Sequence, residues 1–152
     1  MIEKEELLSI IPHRGRMLLL SRIRNYDLVE RTVEAEYQIT EDCIFYDSAA
    51  KGVPAWVGFE FAAQAFCALC GIRDREMGVP PKKGFILAVS QMRIGLPFFR
   101  AGSIICIKAK ETERMDPVCF LDGELFVDGK KVLEGKLTIM EVDDETQIRL
   151  SE

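Results

Sequence analysis

One carboxylate stands out because it interrupts an apolar stretch of the chain. Glu60 lies between Phe59 and Phe61 in a segment that the sequence predicts to be helical. A carboxylate among apolar side chains loses water, and this loss raises its pKa. Such a group can donate or accept a proton near neutral pH, so Glu60 is our first candidate for general acid–base chemistry. The alternative is that Glu60 faces a polar loop or a subunit interface and anchors it.

Three further residues could act near Glu60. Gln64 lies one helical turn later on the same face, where it could bond to the carboxylate, line the same cleft or serve a structural role. His13 is the only histidine of the chain and lies beside a proline, where an imidazole is often structural. The main-chain N–H of Ala55 lies at the predicted helix start, where free N–H groups and the helix dipole suit a carbonyl that gains negative charge.

Helix signals place Glu60 and Gln64 on one long helix. Pro54 suits the first helical position because its missing N–H costs nothing there, and Gly78 suits the position just after the end. The apolar residues between them surround most of the helix circumference, which predicts that other structure encloses the helix. About 22 residues of helix would be roughly 33 Å long.

Strand patterns occupy most of the remaining chain. Residues 29–39 alternate between apolar and polar side chains, which is typical of a half-buried strand. Asp128 and Gly129 are a strong signal for a two-residue hairpin turn. Further strands are predicted at 85–90, 92–96, 103–113, 117–127 and 131–140. An antiparallel sheet of five or six strands, interrupted by one enclosed helix, must wrap around that helix. The sequence therefore predicts an α+β architecture with the hot-dog fold, as a single domain over residues 1–152.

Composition and charge disfavour several classes of function. The chain has 152 residues, of which 48% are hydrophobic and 30% charged, as in ordinary globular proteins. A net charge of -5 disfavours nucleic acid as a partner. Residues 1–9 are rich in charge where a signal peptide would need an apolar run, and no stretch reaches ~20 uninterrupted apolar residues. We therefore expect a cytoplasmic protein with no membrane and no nucleic acid among its partners.

The cysteines predict core packing rather than a disulfide framework. They are odd in number and lie mostly in apolar surroundings. Cys67 and Cys70 form a Cys-x-x-Cys, but this pair lies in the apolar helix without a second pair or a nearby histidine to complete a metal site. We therefore expect no metal and no cofactor.

Two segments resemble a known enzyme family. Pro12-His13-Arg14, with the leucine-rich residues 17–22, is similar to a segment near the start of the bacterial 3-hydroxyacyl-acyl-carrier-protein dehydratases. Residues 53–64, Val-Pro-Ala-Trp-Val-Gly-Phe-Glu-Phe-Ala-Ala-Gln, resemble the central-helix motif of that family in order and spacing. The Pro-Ala-Trp-Val variant is most similar to a branch associated with aryl-polyene biosynthetic clusters. With the strand pattern, the resemblance covers nearly the whole chain.

The resemblance implies a mechanism and a set of partners. In this family a histidine and an acid from opposite protomers of a hot-dog dimer face each other at the end of an acyl tunnel. The histidine removes the α-proton of a 3-hydroxyacyl thioester, the acid helps the β-hydroxyl to leave as water, and helix-start amides polarise the thioester carbonyl. Glu60 takes the acidic role and Ala55 supplies the N–H. The implied partners are an acyl carrier protein or coenzyme A thioester and a second hot-dog chain, in a homodimer or higher oligomer.

The sequence departs from the family at its usual base. The family's catalytic histidine lies in a loop fourteen positions before the glutamate, and that position here is Tyr46. A tyrosine with an ordinary pKa near 10 is a poor general base. Either His13 reaches the pocket and takes over, or the site has lost the dehydration chemistry. The catalytic candidates are therefore His13 and Glu60, and the substrate-binding candidates are Ala55, Tyr46, Trp56 and Gln64.

Two other functions stay open, and both keep the same fold. Hot-dog thioesterases also use a helix carboxylate, which there activates water. A non-catalytic subunit that binds acyl chains or supports an active partner also fits the missing loop histidine. Because carrier proteins are acidic, we also expect a basic patch at the pocket mouth of an enzyme. Its candidate residues are Lys51, Lys82, Lys83, Arg93 and Arg100.

Overall fold

The fold is a seven-stranded antiparallel sheet around one long helix, in a computed structural model that describes residues 1–143. The strands are β1 (Ile2–Glu3), β2 (Arg22–Asp27), β3 (Thr32–Gln38), β4 (Gly52–Pro54), β5 (Lys83–Ile94), β6 (Phe98–Arg100), β7 (Ile104–Met115), β8 (Val118–Val127) and β9 (Lys130–Val142). The helices are α1 (Lys4–Leu7) and α2 (Gly58–Glu76). The strand order in the large sheet is β1-β2-β3-β7-β8-β9-β5, and β4 pairs with β6 separately. Residues 144–152 of the predicted domain lie outside the described residues.

The long helix begins later than predicted and ends as predicted. Pro54 is extended and closes β4, and a 3₁₀ turn over Ala55–Val57 separates it from α2. Gly78 has a φ of 72°, a conformation that glycine adopts without strain. Val79 N–H then donates to the Asp74 carbonyl at 2.9 Å, which satisfies a free carbonyl in the last turn of the helix.

The sheet has seven strands within residues 1–143, where five or six are predicted. β2 is not predicted because its sequence lacks the alternation of apolar and polar residues. Ile23 is its one buried residue, and the others are partly or fully exposed. The predicted strands 85–90 and 92–96 are one strand, β5, with a register shift beside Gln91. Gln91 has a φ of 51°, so this irregularity is a local kink in the edge strand and not the end of it.

Glycines allow two features that the sheet requires. Asp128 and Gly129 have φ values of 51° and 78°, which confirms the predicted hairpin turn with positive φ at both central residues. Gly123 of β8 pairs with Gly135 of β9 beneath α2. A Cβ on Gly135 would lie 2.6 Å from Cε1 of Phe59, so the missing side chain lets the helix lie directly on the sheet.

The central helix is apolar because the fold encloses it. By length and composition, the helical region Ala55–Glu76 would suit a membrane span, but 83% of its most apolar window is buried inside the fold. Phe61 and Phe66 are almost completely buried within the core. Both cysteines of the Cys-x-x-Cys are free thiols, and Cys70 belongs to this core as predicted. The helix therefore serves as the interior of the domain.

A buried ion-pair cluster fixes the second half of α2 against the sheet. Arg114 Nη2 lies 2.7 Å from Glu141 Oε1 and 3.4 Å from Sγ of Cys70 on α2. The same guanidinium lies 2.7 Å from Glu111 and 2.8 Å from Asp116. Burial alone would raise the pKa of Glu141, but the hydrogen bond and charge of Arg114 outweigh it and hold that pKa below its ordinary value.

We expect Arg114→Met to lower the free energy of unfolding by about 3 kcal/mol at neutral pH, because it removes the nearest cation from two buried carboxylates. Glu111 and Glu141 then keep only the longer contacts with Arg31 at 3.4 Å and Arg73 at 3.8 Å. Because the pKa of Glu141 is lowered by folding, the wild-type protein also loses stability as the pH falls below 4.5 towards that lowered pKa. This acid-dependent loss should be smaller in the variant. Urea unfolding at neutral pH and at about pH 4 measures both effects.

Lys131→Met is the matched control, because it removes an exposed cation that lies 2.7 Å from Glu124. Exposed ion pairs contribute little to stability, so this variant should unfold almost as the wild type does. A loss similar to that of Arg114→Met would contradict the assigned importance of the buried cluster.

Candidate active site

Glu60 lies on a side of α2 that the sheet leaves uncovered. Its side chain reaches solvent in the single chain, and Trp56, four residues earlier on the same helical face, is 59% exposed. The expectation that Glu60 is enclosed together with the rest of the helix is therefore wrong. Neighbouring atoms nevertheless remove part of its hydration, and this partial burial raises the pKa of Glu60 in the predicted direction.

The loop before β4 packs against the helix start close to Glu60. The rings of Phe45 and Trp56 meet edge to face with centroids 6.3 Å apart. Next in the chain, Tyr46 is partly buried against the core, and its main-chain N–H donates to the Cys43 carbonyl at 2.9 Å. The loop that carries Tyr46 is therefore held beside Trp56, which precedes Glu60 by one helical turn. Within residues 1–143, no hydrogen bond joins the Tyr46 side chain to the Glu60 side chain.

The Ala55 amide is not free, contrary to the sequence-based expectation. Its N–H donates to the Pro97 carbonyl at 2.9 Å. The cause is the ladder between β4 and β6, in which Pro54 pairs with Phe98 and the next amide continues the pairing. In this structure Ala55 therefore has no N–H to offer to a thioester carbonyl.

Gln64 is a structural residue in this chain, which corrects its predicted contact with substrate. It is 3% exposed. Its Oε1 accepts from Leu19 N–H at 2.8 Å, and its Nε2 donates to the Met17 carbonyl at 2.7 Å. Both ends of the amide bond to the main chain, and no hydrogen bond joins Gln64 to Glu60 within residues 1–143. Helical spacing could not show this, because the partners are main-chain atoms from a distant segment.

His13 is partly buried and has an unusual lack of partners. Its Nδ1 is buried and has no hydrogen-bond partner within the described part of the chain. Burial, and then the charge of Arg14, lower the pKa of His13. The imidazole is therefore predominantly neutral at neutral pH. Within residues 1–143 no ion pair joins His13 and Glu60, and neither group is among the causes of the other's pKa shift.

An exposed apolar strand borders the uncovered side of α2. One edge of β5 pairs with β9, and the other edge is free within residues 1–143. Gly84 of β5 lies against Cys67, whose pKa is raised to about 12 by burial and also by the charges of Glu141 and Glu60. The strand exposes large apolar side chains at Phe85, Leu87, Met92 and Ile94. This surface could not be predicted from the sequence, because apolar residues in a strand do not reveal whether their own chain covers them.

An antiparallel sheet around one long helix, with the carboxylate of Glu60 on that helix, defines a hot-dog-fold protein. The dehydratase heterocomplex ApeI:P from Xenorhabdus doucetiae matches with a TM-score of 0.86 and 21% identity, over 96% of this chain and 97% of that one. A hypothetical thioesterase with coenzyme A from Streptococcus pneumoniae matches with a TM-score of 0.58 and 13% identity, over 81% and 86% of the two chains. At these identities the structural matches establish the fold alone.

Sequence comparison gives the family. The 3-hydroxyacyl-(acyl-carrier-protein) dehydratase FabZ of Erythrobacter litoralis is 27% identical over 142 residues, which are 91% of this chain and 92% of the relative. The sequence model of the ApeP-like family, described as ApeP dehydratase, matches residues 5–149. The chain therefore belongs to the ApeP-like dehydratases, a family of hydro-lyases. The predicted hot-dog fold and the predicted relationship to acyl-carrier-protein dehydratases are confirmed.

We expect Glu60→Gln to stabilise the fold at neutral pH. Because folding raises the pKa of Glu60, this group lowers stability as the pH rises above 4.5, and the full effect is reached once the pH exceeds the raised pKa. Below 4.5, the ordinary pKa, the group is protonated in both states and the advantage of the variant should disappear. Chemical unfolding at about pH 8 and about pH 4 tests this sign. Glu113→Gln, at an exposed site on β7, controls for the general loss of one negative charge.

Proposed function

We propose that this chain dehydrates 3-hydroxyacyl thioesters of acyl carrier protein to 2-enoyl thioesters, with Glu60 as the acid and His13 as the base. The observation that carries this proposal is the opposite direction of the two pKa shifts in a member of a dehydratase family. A lowered histidine pKa keeps the imidazole neutral and able to accept a proton. A raised carboxyl pKa increases the protonated fraction that can donate one.

The proposed reaction is balanced with these two groups alone. His13 takes the proton from C2 of the acyl chain, and the electron pair of that C–H bond forms the C2=C3 double bond. The C3–O bond breaks, and Glu60 gives its proton to the departing hydroxyl, which leaves as water. The two groups then return to their starting states by exchange of one proton with solvent.

Assembly through β5 would bring the two groups together. Within residues 1–143 the free edge of β5 lies beside the part of α2 that carries Glu60, because Gly84 lies against Cys67 and the Glu60 charge acts on the pKa of Cys67. We propose that another hot-dog chain pairs along this edge and that its histidine faces Glu60. A second copy of this chain gives a homodimer, as expected from the sequence, and the ApeI:P heterocomplex makes a different hot-dog partner the alternative.

The acyl chain and the cellular setting belong to the same proposal. Trp56 is the best placed of the predicted substrate-binding residues, because its exposed ring lies one helical turn before Glu60. Tyr46 lies on the adjoining loop and remains a candidate for the same pocket. Cys43, Cys67, Cys70, Cys106 and Cys119 are all free thiols, which suits a reducing compartment, so we place the protein in the cytoplasm.

We expect Glu60→Gln and His13→Ala each to reduce dehydration by ~10²–10⁴-fold, the usual contribution of a general acid or base. The double variant should be little worse than either single one, because groups that act in one step are not additive. The measurement is the absorbance of the enoyl thioester formed from a 3-hydroxyacyl carrier-protein substrate. The melting temperature of each variant, recorded in parallel, separates loss of chemistry from loss of fold.

The same assay separates the competing functions when it is run on the chain alone and with a second hot-dog dehydratase. Release of free thiol without enoyl product would support a thioesterase. Activity in the mixture that survives both substitutions would support a non-catalytic subunit. Unchanged turnover in His13→Ala alone would remove the histidine from the mechanism and leave Glu60 with another base.

The expected basic patch does not form as one surface. Lys82 Nζ lies 3.4 Å from Asp74 Oδ1, and Asp74 is roughly 21 Å from Glu60 along the helix axis at 1.5 Å per residue. Lys83 pairs with Val142 at the same end of the fold. Within the single chain these two lysines therefore lie far from Glu60 and from the start of α2.

Two of the predicted basic residues do lie near the helix start. Arg100 pairs with Gly52 across the β4–β6 ladder, and the Lys51 carbonyl accepts from Ala101 N–H at 3.2 Å. Both side chains are exposed, and β4 leads directly into the helical turn before Glu60. We propose that Lys51 and Arg100 contact the acidic surface of an acyl carrier protein.

We expect Lys51→Glu and Arg100→Glu to raise KM for a carrier-protein thioester several-fold and to leave kcat nearly unchanged. The effect should shrink as salt is added, because the contact is electrostatic and exposed. Lys110→Glu is the control, since it makes the same charge reversal at an exposed site on β7. An N-acetylcysteamine thioester, which has no protein to dock, should show no KM change in any of the three variants. An equal KM increase in Lys110→Glu would contradict the proposed docking site.

A further inference from the structure

The side-chain amide of Gln64 joins two parts of the chain that carry the candidate catalytic groups. Gln64 lies one helical turn after Glu60 and bonds to main-chain atoms on both sides of Leu18, at 2.8 Å and 2.7 Å. These atoms belong to residues 10–20, which we call the histidine segment because it contains His13. A buried amide with both ends bonded is costly to displace, because each broken bond leaves an unsatisfied polar group.

A second contact fixes the other end of the histidine segment on the same helix. A Cβ on Gly71 would lie 2.1 Å from the Ile10 carbonyl oxygen, so the main chain of the segment rests directly on the helix at this glycine. Gly71 and Gln64 are seven residues apart, which is roughly 10 Å along the helix axis. The histidine segment is therefore attached to α2 at two points, and His13 lies between them in sequence.

The turn that contains His13 is held internally by Arg14. The Arg14 guanidinium donates to the carbonyls of Ile11 and His13 at 2.8 Å and to the Leu8 carbonyl at 2.7 Å. These three bonds make the turn a compact unit. Movement of His13 relative to α2 therefore requires release of Gln64 or displacement of the contact at Gly71.

We propose that Gln64 is a positioning residue, which fixes the histidine segment on α2 and thereby sets the place of the His13 imidazole relative to the helix that carries Glu60. Its importance for catalysis rests on the proposed function, in which His13 is the base. The positioning role itself concerns the folded chain and can be measured without any substrate.

The direct test uses the fact that His13 is the only histidine. Its imidazole signals in a proton NMR titration report one pKa without overlap from other histidines. In the wild type this pKa should lie below its ordinary value of 6.5, and in Gln64→Met it should rise towards 6.5 as the released segment becomes hydrated. If Gln64→Met does not fold, Gln64→Asn keeps a neutral amide that is one methylene too short to keep both bonds, and it gives the same measurement without adding a charge.

A second variant reaches the same segment without altering Gln64. Gly71→Ala places a methyl group against the Ile10 carbonyl, while alanine is the better helix former, so α2 itself should persist. This variant should also move the pKa of His13 towards its ordinary value. Two controls should leave that pKa unchanged. Gln38→Met makes the same exchange at an exposed site, and Leu121→Ala destabilises the core on β8 away from the segment.

Turnover measurements test whether the position of the histidine segment affects catalysis. Gln64→Met should lower kcat by about 10²-fold with little change in KM, since a small misplacement of a catalytic group has an effect of that size. In the His13→Ala background the same change should have almost no further effect. A wild type without dehydratase activity whose His13 pKa still shifts in Gln64→Met would refute the proposed function and support the positioning role. An unchanged His13 pKa in the folded Gln64 and Gly71 variants would overturn the positioning role.

Discussion

The structure depends on one geometric constraint, which is that a single sheet must cover a long apolar helix. The helix can lie close to the sheet because the paired residues of β8 and β9 beneath α2 are glycines, Gly123 and Gly135. A curled sheet covers a helix from one side and leaves part of its circumference bare. That bare side carries Trp56 and Glu60, and it adjoins the edge of β5 that is unpaired within residues 1–143. The same constraint that builds the core therefore creates a surface suited to a partner chain and an acyl substrate.

One physical cause prepares both candidate catalytic groups. Partial burial disfavours a charge of either sign, so it raises the pKa of Glu60 and lowers the pKa of His13. The protonated fraction of Glu60 and the neutral fraction of His13 both increase, which is the combination that β-elimination requires. No metal is needed to generate this difference, and the two groups need only be brought face to face. Assembly along β5 is the step that would do so.

The sequence predicted the features that local chemistry determines. Gly78 after the helix and the Asp128-Gly129 turn depend on backbone conformation that glycine favours, and both are confirmed. The exposure of Glu60 could not be predicted, because an apolar helix face can be covered by its own sheet or by another chain. The bonds of Gln64 and the Ala55 amide were equally hidden, since their partners are main-chain atoms that no side-chain pattern reveals. The family motif marked the central helix as the place of the candidate residues, but their contacts required the tertiary structure.

The contrast between Glu60 and Glu141 explains which carboxyl is the candidate acid. Glu60 lies at the start of α2, whereas Glu141 lies on β9 beside the second half of that helix. Burial acts on both carboxyls in the same direction. At Glu141 the Arg114 guanidinium, 2.7 Å away, outweighs burial and keeps the group ionised, so it stabilises the fold and has no proton to give at neutral pH. Around Glu60 no cation forms an ion pair within residues 1–143, and burial alone sets the direction of its pKa shift. The absence of a compensating cation is thus what makes Glu60 available for proton transfer, and a cation introduced beside it would convert it into a second structural carboxylate.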